Sequence, residues 1–180
     1  MNAAAMTRVA LMAAFTAVAA QIAIPLEPVP FTLQVLAVVL TGLLLGPRYG
    51  ALAMAIYLLV GAVGIPVFSG FRGGLGILLG DTGGYLLAYP LAAALAGVAA
   101  GAVANAPRRR ALIVGFLWGS LALAVIYALG AAWLMVLAGL SPGAALVAGV
   151  LPFVVFDLIK VGLANLVAVA VAPAIAASRA

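Results

Sequence analysis

The run ALIVGFLWGSLALAVIYALGAAWLMVL, residues 111–137, decides what kind of protein this is. It carries no Asp, Glu, Lys or Arg from end to end. As a helix rising about 1.5 Å per residue it extends about 40 Å, more than the ~30 Å hydrocarbon core of a bilayer. A soluble helix keeps a charged or polar face toward water, and this run has no charged face at all. Lipid is therefore its solvent. Its flanks agree: Arg108, Arg109 and Arg110 precede it, and Ser141-Pro142 starts a short helix after it.

The rest of the chain has the same character. Of 180 residues, 69% are hydrophobic and 6% charged, against about half and about a quarter in soluble domains. Eight Lys/Arg and three Asp/Glu cannot clothe a water-facing surface, and so apolar a chain is not a disordered one. There is no cysteine and no histidine, which excludes disulfides, thiol chemistry and the commonest general base and metal ligand. No metal site and no catalytic residue is expected. The net charge of +5 does not point to nucleic acid, because the basic residues are scattered between apolar spans.

Working outward from residues 111–137, hydropathy and Gly/Pro punctuation predict six spans in a single all-α membrane domain covering residues 1–180. They run over residues 6–24, 31–45, 49–65, 85–104 and 111–137, with the sixth from near Pro152 to before Pro173. Cytoplasmic ends are enriched in Lys and Arg. With the amino terminus inside, the inner segments hold Arg8, Arg48, Arg108, Arg109, Arg110 and Arg179 and no acid; the outer loops hold Glu27, Arg72 and Asp81. Both termini are thus expected in the cytoplasm. The first span also has the outline of a signal peptide, but its apolar run continues to Ile24 and the charge alternation needs it.

Two irregular segments lie on the outer side. The second span is about 22 Å long, shorter than the hydrocarbon core, so residues 26–30 must dip inward. Residues 66–84 contain seven glycines yet also Leu75, Ile77, Leu78 and Leu79. Non-helical backbone at membrane depth survives only where protein buries it or water wets it, so an outward-facing cavity is expected.

Asp157 and Lys160 carry the sharpest chemistry. A charge at mid-span costs about 2.5–3.5 kcal/mol on insertion scales, and such residues face the bundle interior. Three apart, they share a helical face. They either neutralise each other structurally or offer an acceptor and a donor to a ligand. Asn165, off that face, reads as an interhelical hydrogen bond. Arg72 stands among Gly70, Gly73, Gly74 and Gly76; backbone N–H groups and an arginine suit a carboxylate, unless the loop merely meets water. The Gly-Lys-Ser/Thr ending of a phosphate-binding loop is absent, so active transport needs an ion gradient or partner proteins. Tyr85, Tyr89 and Trp133 read as interfacial anchors unless they face the cavity. Gln34 serves the cavity or a neighbouring helix. Ala10, Ala13, Ala14 and Ala17 form a small-residue stripe that lets another helix approach closely.

Several ordered fragments now stand together: PVPFTLQ (28–34), LLGPRYG (44–50), GAVGIPVF (61–68), TGGYL (82–86), and Pro152-Phe153 followed by Asp157 and Lys160. In this order and spacing the chain resembles the BioY family, the biotin-specific S components of energy-coupling-factor (ECF) transporters. The resemblance implies a six-helix S-component bundle in the cytoplasmic membrane of a bacterium or archaeon. It implies biotin as ligand, with no cofactor. It also implies partners: a membrane T component and ABC ATPase subunits, docked through Ala10/Ala14 or Ala13/Ala17. For biotin, Asp157 would accept from ureido N–H groups, Lys160 would donate to a carbonyl, and Arg72, Gly73 and Gly74 would meet the carboxylate, or the two ends would be reversed. Phe31, Phe68 and Tyr85 would supply apolar walls. The competing expectations are a secondary transporter for another small carboxylate-bearing metabolite and an intramembrane enzyme. The second is disfavoured by three carboxylates and no histidine or cysteine.

Overall fold

The computed structural model describes residues 2–177; Arg179 and Ala180 lie outside the described residues. The chain is almost wholly helical. In order it forms α1 (Ala3–Gln21), β1 (Ala23–Ile24), β2 (Phe31–Thr32), α2 (Gln34–Ala62) and α3 (Leu75–Leu78). Then follow α4 (Gly83–Gly97), α5 (Ala100–Asn105), α6 (Arg108–Ala138), α7 (Pro142–Gly149) and α8 (Val154–Ala177). Four of these, α1, α2, α6 and α8, are long and apolar enough to cross a membrane, and α4 is a shorter apolar helix.

The helix α2 is not one rod. Gly46 adopts φ 81 and ψ 176, outside helical values, and Pro47 follows it. A Cβ on Gly50 would stand 3.1 Å from the Cα of Gly42, whereas eight residues along a straight helix span about 12 Å. The Gln34 side chain likewise donates to the Tyr57 hydroxyl at 2.8 Å, across a sequence distance worth about 34 Å in a rod. The chain therefore doubles back at Gly46, where a residue with a Cβ would be strained, and Pro47 starts the second arm with its φ already set. Helix α4 packs along this hairpin. Its contact is glycine-lined: a side chain on Gly42 would overlap the Ala93 carbonyl, and one on Gly97 would meet Gly46 and Pro47 at 2.5 Å.

The element ends differ from expectation at several places. Helix α1 covers Ala3–Gln21 and stops short of Ile24, the second arm of α2 ends at Ala62 rather than at residue 65, and α4 starts at Gly83. The helix expected from residue 31 begins at Gln34, because Phe31–Thr32 pairs antiparallel with Ala23–Ile24. The segment 85–104 is two helices: the amides of Val98 and Ala99 bond three residues back, to Leu95 and Ala96, tightening the turn between α4 and α5. Helix α6 begins at Arg108, taking in the arginines placed before the span. Helix α8 passes Pro173 and ends at Ala177. The short helix at Ser141-Pro142 forms as read, with the Ser141 hydroxyl accepting from the Ala144 amide at 3.3 Å.

The core holds Leu43, Met54, Tyr57, Ile126 and Leu134, all essentially inaccessible. The outside is equally apolar: Leu117, Val136, Val155 and Leu163 are exposed on α6 and α8. Contiguous apolar surface on that scale marks contact with lipid rather than water.

Candidate functional site

The site is assembled where α2, α4, α6 and α8 surround the β1–β2 ladder and the 67–72 loop. Asp157 lies in the first turn of α8, where the positive end of the helix dipole favours a carboxylate. It and Lys160 are 4% and 5% exposed. The Lys160 ammonium donates to Asp157 Oδ1 at 2.6 Å and to the Thr32 carbonyl at 2.6 Å, and it sits 3.4 Å from the centroid of the Phe31 ring. The second carboxylate oxygen, Oδ2, accepts from the Tyr127 hydroxyl at 2.6 Å. A buried carboxylate is thus held by two donors, one from its own helix and one from α6. An oxygen that accepts one bond retains a further lone pair for a ligand donor.

Beside this group lies a cavity with about 630 Å³ of empty space, counted out to its open mouth. Phe31, Phe68, Tyr85, Tyr89, Ile126 and Phe153 give it aromatic and aliphatic walls. Asp157, Gln34 and Thr32 bring polar atoms to it, and Ser69 and Arg72 do so where it meets a wider, open hollow lined also by Gln21, Glu27 and Phe71. The walls are fixed from behind. Phe31 stacks on Phe153 at 6.3 Å and meets Phe156 edge-on at 5.7 Å. Phe68 meets Tyr57 edge-on at 5.5 Å, and its ring fills the space a side chain on Gly61 would take. The Tyr85 hydroxyl donates to the Gly149 carbonyl at 3.0 Å, with its ring occupying the space above Gly130.

The 67–72 loop is pinned rather than free. Gln21, at the end of α1, donates to the Phe68 carbonyl at 3.1 Å and accepts from the Phe71 amide at 2.9 Å. Phe68 and Arg72 bond to each other's backbone as an isolated bridge. The Arg72 side chain turns back to donate to the Ser69 carbonyl at 2.9 Å.

Of the residues singled out in the sequence, Asp157, Gln34, Phe31, Phe68, Tyr85 and Arg72 converge on this one cavity. Lys160 lies behind Phe31 and Thr32 rather than on the lining. Gly73 and Gly74 also stand back from it: Gly73 packs against the Ile65 carbonyl, and the Gly74 amide donates to Gly61 at 2.7 Å. Asn165 makes the interhelical bond expected of it, to the Leu112 carbonyl at 2.7 Å. Tyr89 is buried in the cavity wall, not an interfacial anchor. Trp133 donates to the Gly80 carbonyl at 2.9 Å and braces the start of α4. On α1, Ala10 and Ala14 face outward, whereas Ala13 is buried and Ala17 half-buried.

Sequence reading missed Tyr127, Thr32 and Gln21. Tyr127 was findable, because a hydroxyl far inside an apolar span needs a partner. Thr32 meets Lys160 through its backbone carbonyl, which no residue type reveals, while its hydroxyl donates to the Gln34 side chain at 3.1 Å.

An apolar, aromatic-walled cavity with a few convergent polar groups is the form of a small-molecule binding site. Set within a lipid-faced helical bundle, it defines the class: a membrane-embedded binding protein for a small amphiphilic solute. The comparisons narrow this further. The BioY family profile matches residues 1–177, and the chain belongs to that family. It is 44% identical over 93% of its length to a probable biotin transporter BioY of Pyrococcus horikoshii, covering 96% of that protein. It is 42% identical over 88% of its length to the biotin transporter BioY of Thermotoga maritima, covering 89% of that protein. Its fold matches a crystal structure of the S-component for biotin from an ECF-type ABC transporter, with a TM-score of 0.82 at 27% identity, over 95% of this chain and 94% of that one.

Proposed function

We propose that this chain captures biotin with high affinity on the outer side of a bacterial or archaeal cytoplasmic membrane, as the substrate-binding subunit of an ECF-type ABC transporter. The observation that carries the reading is the cavity itself: aromatic walls, a buried carboxylate at one flank and an arginine toward the mouth. Biotin has matching parts, with ureido N–H groups at one end, a thioether ring between, and a carboxylate on a flexible chain. The ureido end lies against Asp157, Gln34 and Thr32, the ring between Phe31, Phe68 and Tyr85, and the carboxylate toward Arg72. Lys160 acts through Asp157 and Thr32, holding both in place. Gly73 and Gly74 shape the loop that presents Arg72 and Ser69.

Six segments cross the membrane in this reading: α1, the two arms of α2, α4 continued by α5, α6 and α8. Both termini are cytoplasmic. The hairpin at Gly46 supports the count, since it makes two crossings of α2. The chain performs no catalysis and uses no cofactor. The T component docks along Ala10 and Ala14, the outward-facing members of the alanine stripe, and the ABC ATPase subunits supply the energy.

Protein purified in mild detergent from cells grown with biotin tests the proposal. Mass spectrometry of the denatured extract is expected to find biotin in near-stoichiometric amount. A different metabolite in the extract, with no uptake of labelled biotin by emptied protein, would overturn it.

A further inference from the structure

A second hollow lies at the opposite end of α6 from the biotin cavity. Arg108 and Tyr127 stand nineteen positions apart on that helix, about 28 Å. The hollow holds about 680 Å³ of empty space, counted out to its open side, between α5, α6 and α8. Its walls are Val103, Ala104, Leu112, Leu166, Val169 and Ala170, with Arg108 as its charged group. A neighbouring hollow, lined by Asn105 as well as by apolar side chains, meets it at Ala104 and runs along the first arm of α2 past Leu43 and Leu44. Arg109 and Arg110 continue the basic run, and all three arginines are exposed.

Helix electrostatics oppose this run. The amino-terminal end of a helix carries partial positive charge and favours anions, yet α6 starts with three cations, has no acid in its first turn, and receives no side-chain cap from Pro107. Among the described residues no carboxylate pairs with the arginines; the one salt bridge joins Asp157 and Lys160. The hollow is bordered by the small side chains of Ala104, Ala106 and Ala170, of which Ala170 is exposed. The location therefore offers a phosphate-binding head and an apolar slot for a chain.

We propose that this hollow binds an anionic phospholipid, its headgroup phosphate on Arg108, Arg109 and Arg110 and an acyl chain lying between α5 and α8. Basic pockets between membrane helices recognise acidic headgroups by this chemistry, and each arginine near the surface contributes about a fivefold preference. The proposal is independent of what the other cavity holds.

The test is native mass spectrometry of the full-length protein released from nanodiscs of phosphatidylglycerol and phosphatidylcholine in equal parts. Retained phosphatidylglycerol is expected to exceed phosphatidylcholine by at least tenfold. Arg108→Gln should lower that ratio about fivefold, and the triple change at 108, 109 and 110 should remove it. Ala170→Phe, which fills the slot and keeps every charge, should lose the lipid too; retention there means mere surface attraction and overturns the site. Displacement of the lipid by inorganic phosphate would reduce it to a free-anion site, also against the proposal. So would unchanged lipid retention in the triple variant with loss of assembly with partner subunits, which makes the face a protein contact. Unchanged solute binding in the other cavity checks that each variant is folded.

Discussion

The Asp157–Lys160 pair concentrates the chemistry at the scale of single residues. Each partner is buried, and each leans on a neighbour the other does not touch: Tyr127 for the carboxylate, Thr32 and Phe31 for the ammonium. Removing one charge therefore does two things at once. In the proposed pose Asp157→Asn weakens a charge-assisted hydrogen bond to the ligand, which is expected to lower biotin affinity by about 1.5–3 kcal/mol. It also leaves the Lys160 ammonium without its counter-charge, a penalty on folding. Lys160→Met is expected to lower affinity comparably while keeping chain length and packing. The double variant separates ligand contact from structure. It is expected to unfold at a higher temperature than either single variant and still bind biotin poorly by calorimetric titration. Near-normal affinity in the folded double variant would take the pair out of the site. The pair was legible in the sequence because charges in a lipid-facing run are conspicuous. Tyr127 was not seen, because tyrosine in such a run also reads as packing or an anchor.

At the scale of elements, the hairpin of α2 and the outward face of α1 matter most. The Gly46-Pro47 reversal was legible, since glycine takes the backbone angles and proline cannot continue the preceding ladder. The β1–β2 ladder was not: two residues per strand leave no alternation to read. Nor was the α4–α5 break, which falls between Gly97 and Ala100 without proline or charge to mark it. The alanine stripe could be seen in the sequence but not oriented, because four alanines on one side of a helix do not reveal which of them neighbouring helices cover. The structure buries Ala13 and exposes Ala14. Ala14→Trp is accordingly expected to abolish co-purification with the T component while leaving biotin affinity within twofold. A bulky ring there blocks close helix approach without entering the bundle. Intact assembly in that variant would move the docking surface off α1.

The whole molecule is organised by an asymmetry between its two ends. One end gathers the irregular segments, the cavity mouth, Glu27, Arg72 and Asp81; the other gathers Arg48, Arg108, Arg109 and Arg110. This polarity was readable from charge alone, and the proposed six-span orientation rests on it. A single cysteine introduced at Ala106 is expected to react with a membrane-impermeant maleimide only after the cells are opened. One at Gly73 should react in intact cells. Labelling of Ala106 from outside would reverse the orientation and with it the direction of capture. The cavity's interior, by contrast, was legible only in part, because its walls come from six helices, β2 and the loops between them, whose meeting is a matter of packing rather than of local pattern.

The spacing of the buried ion pair bears on how the protein is made. Asp157 and Lys160 are three residues apart in one helix, so their bond needs no other part of the bundle. An α8 just emerging from the ribosome can close that bond as soon as its first turns form. It then offers the insertion machinery a neutral dipole instead of two separate ions. The same two side chains placed on different helices would each cross into lipid unpaired and meet only after assembly.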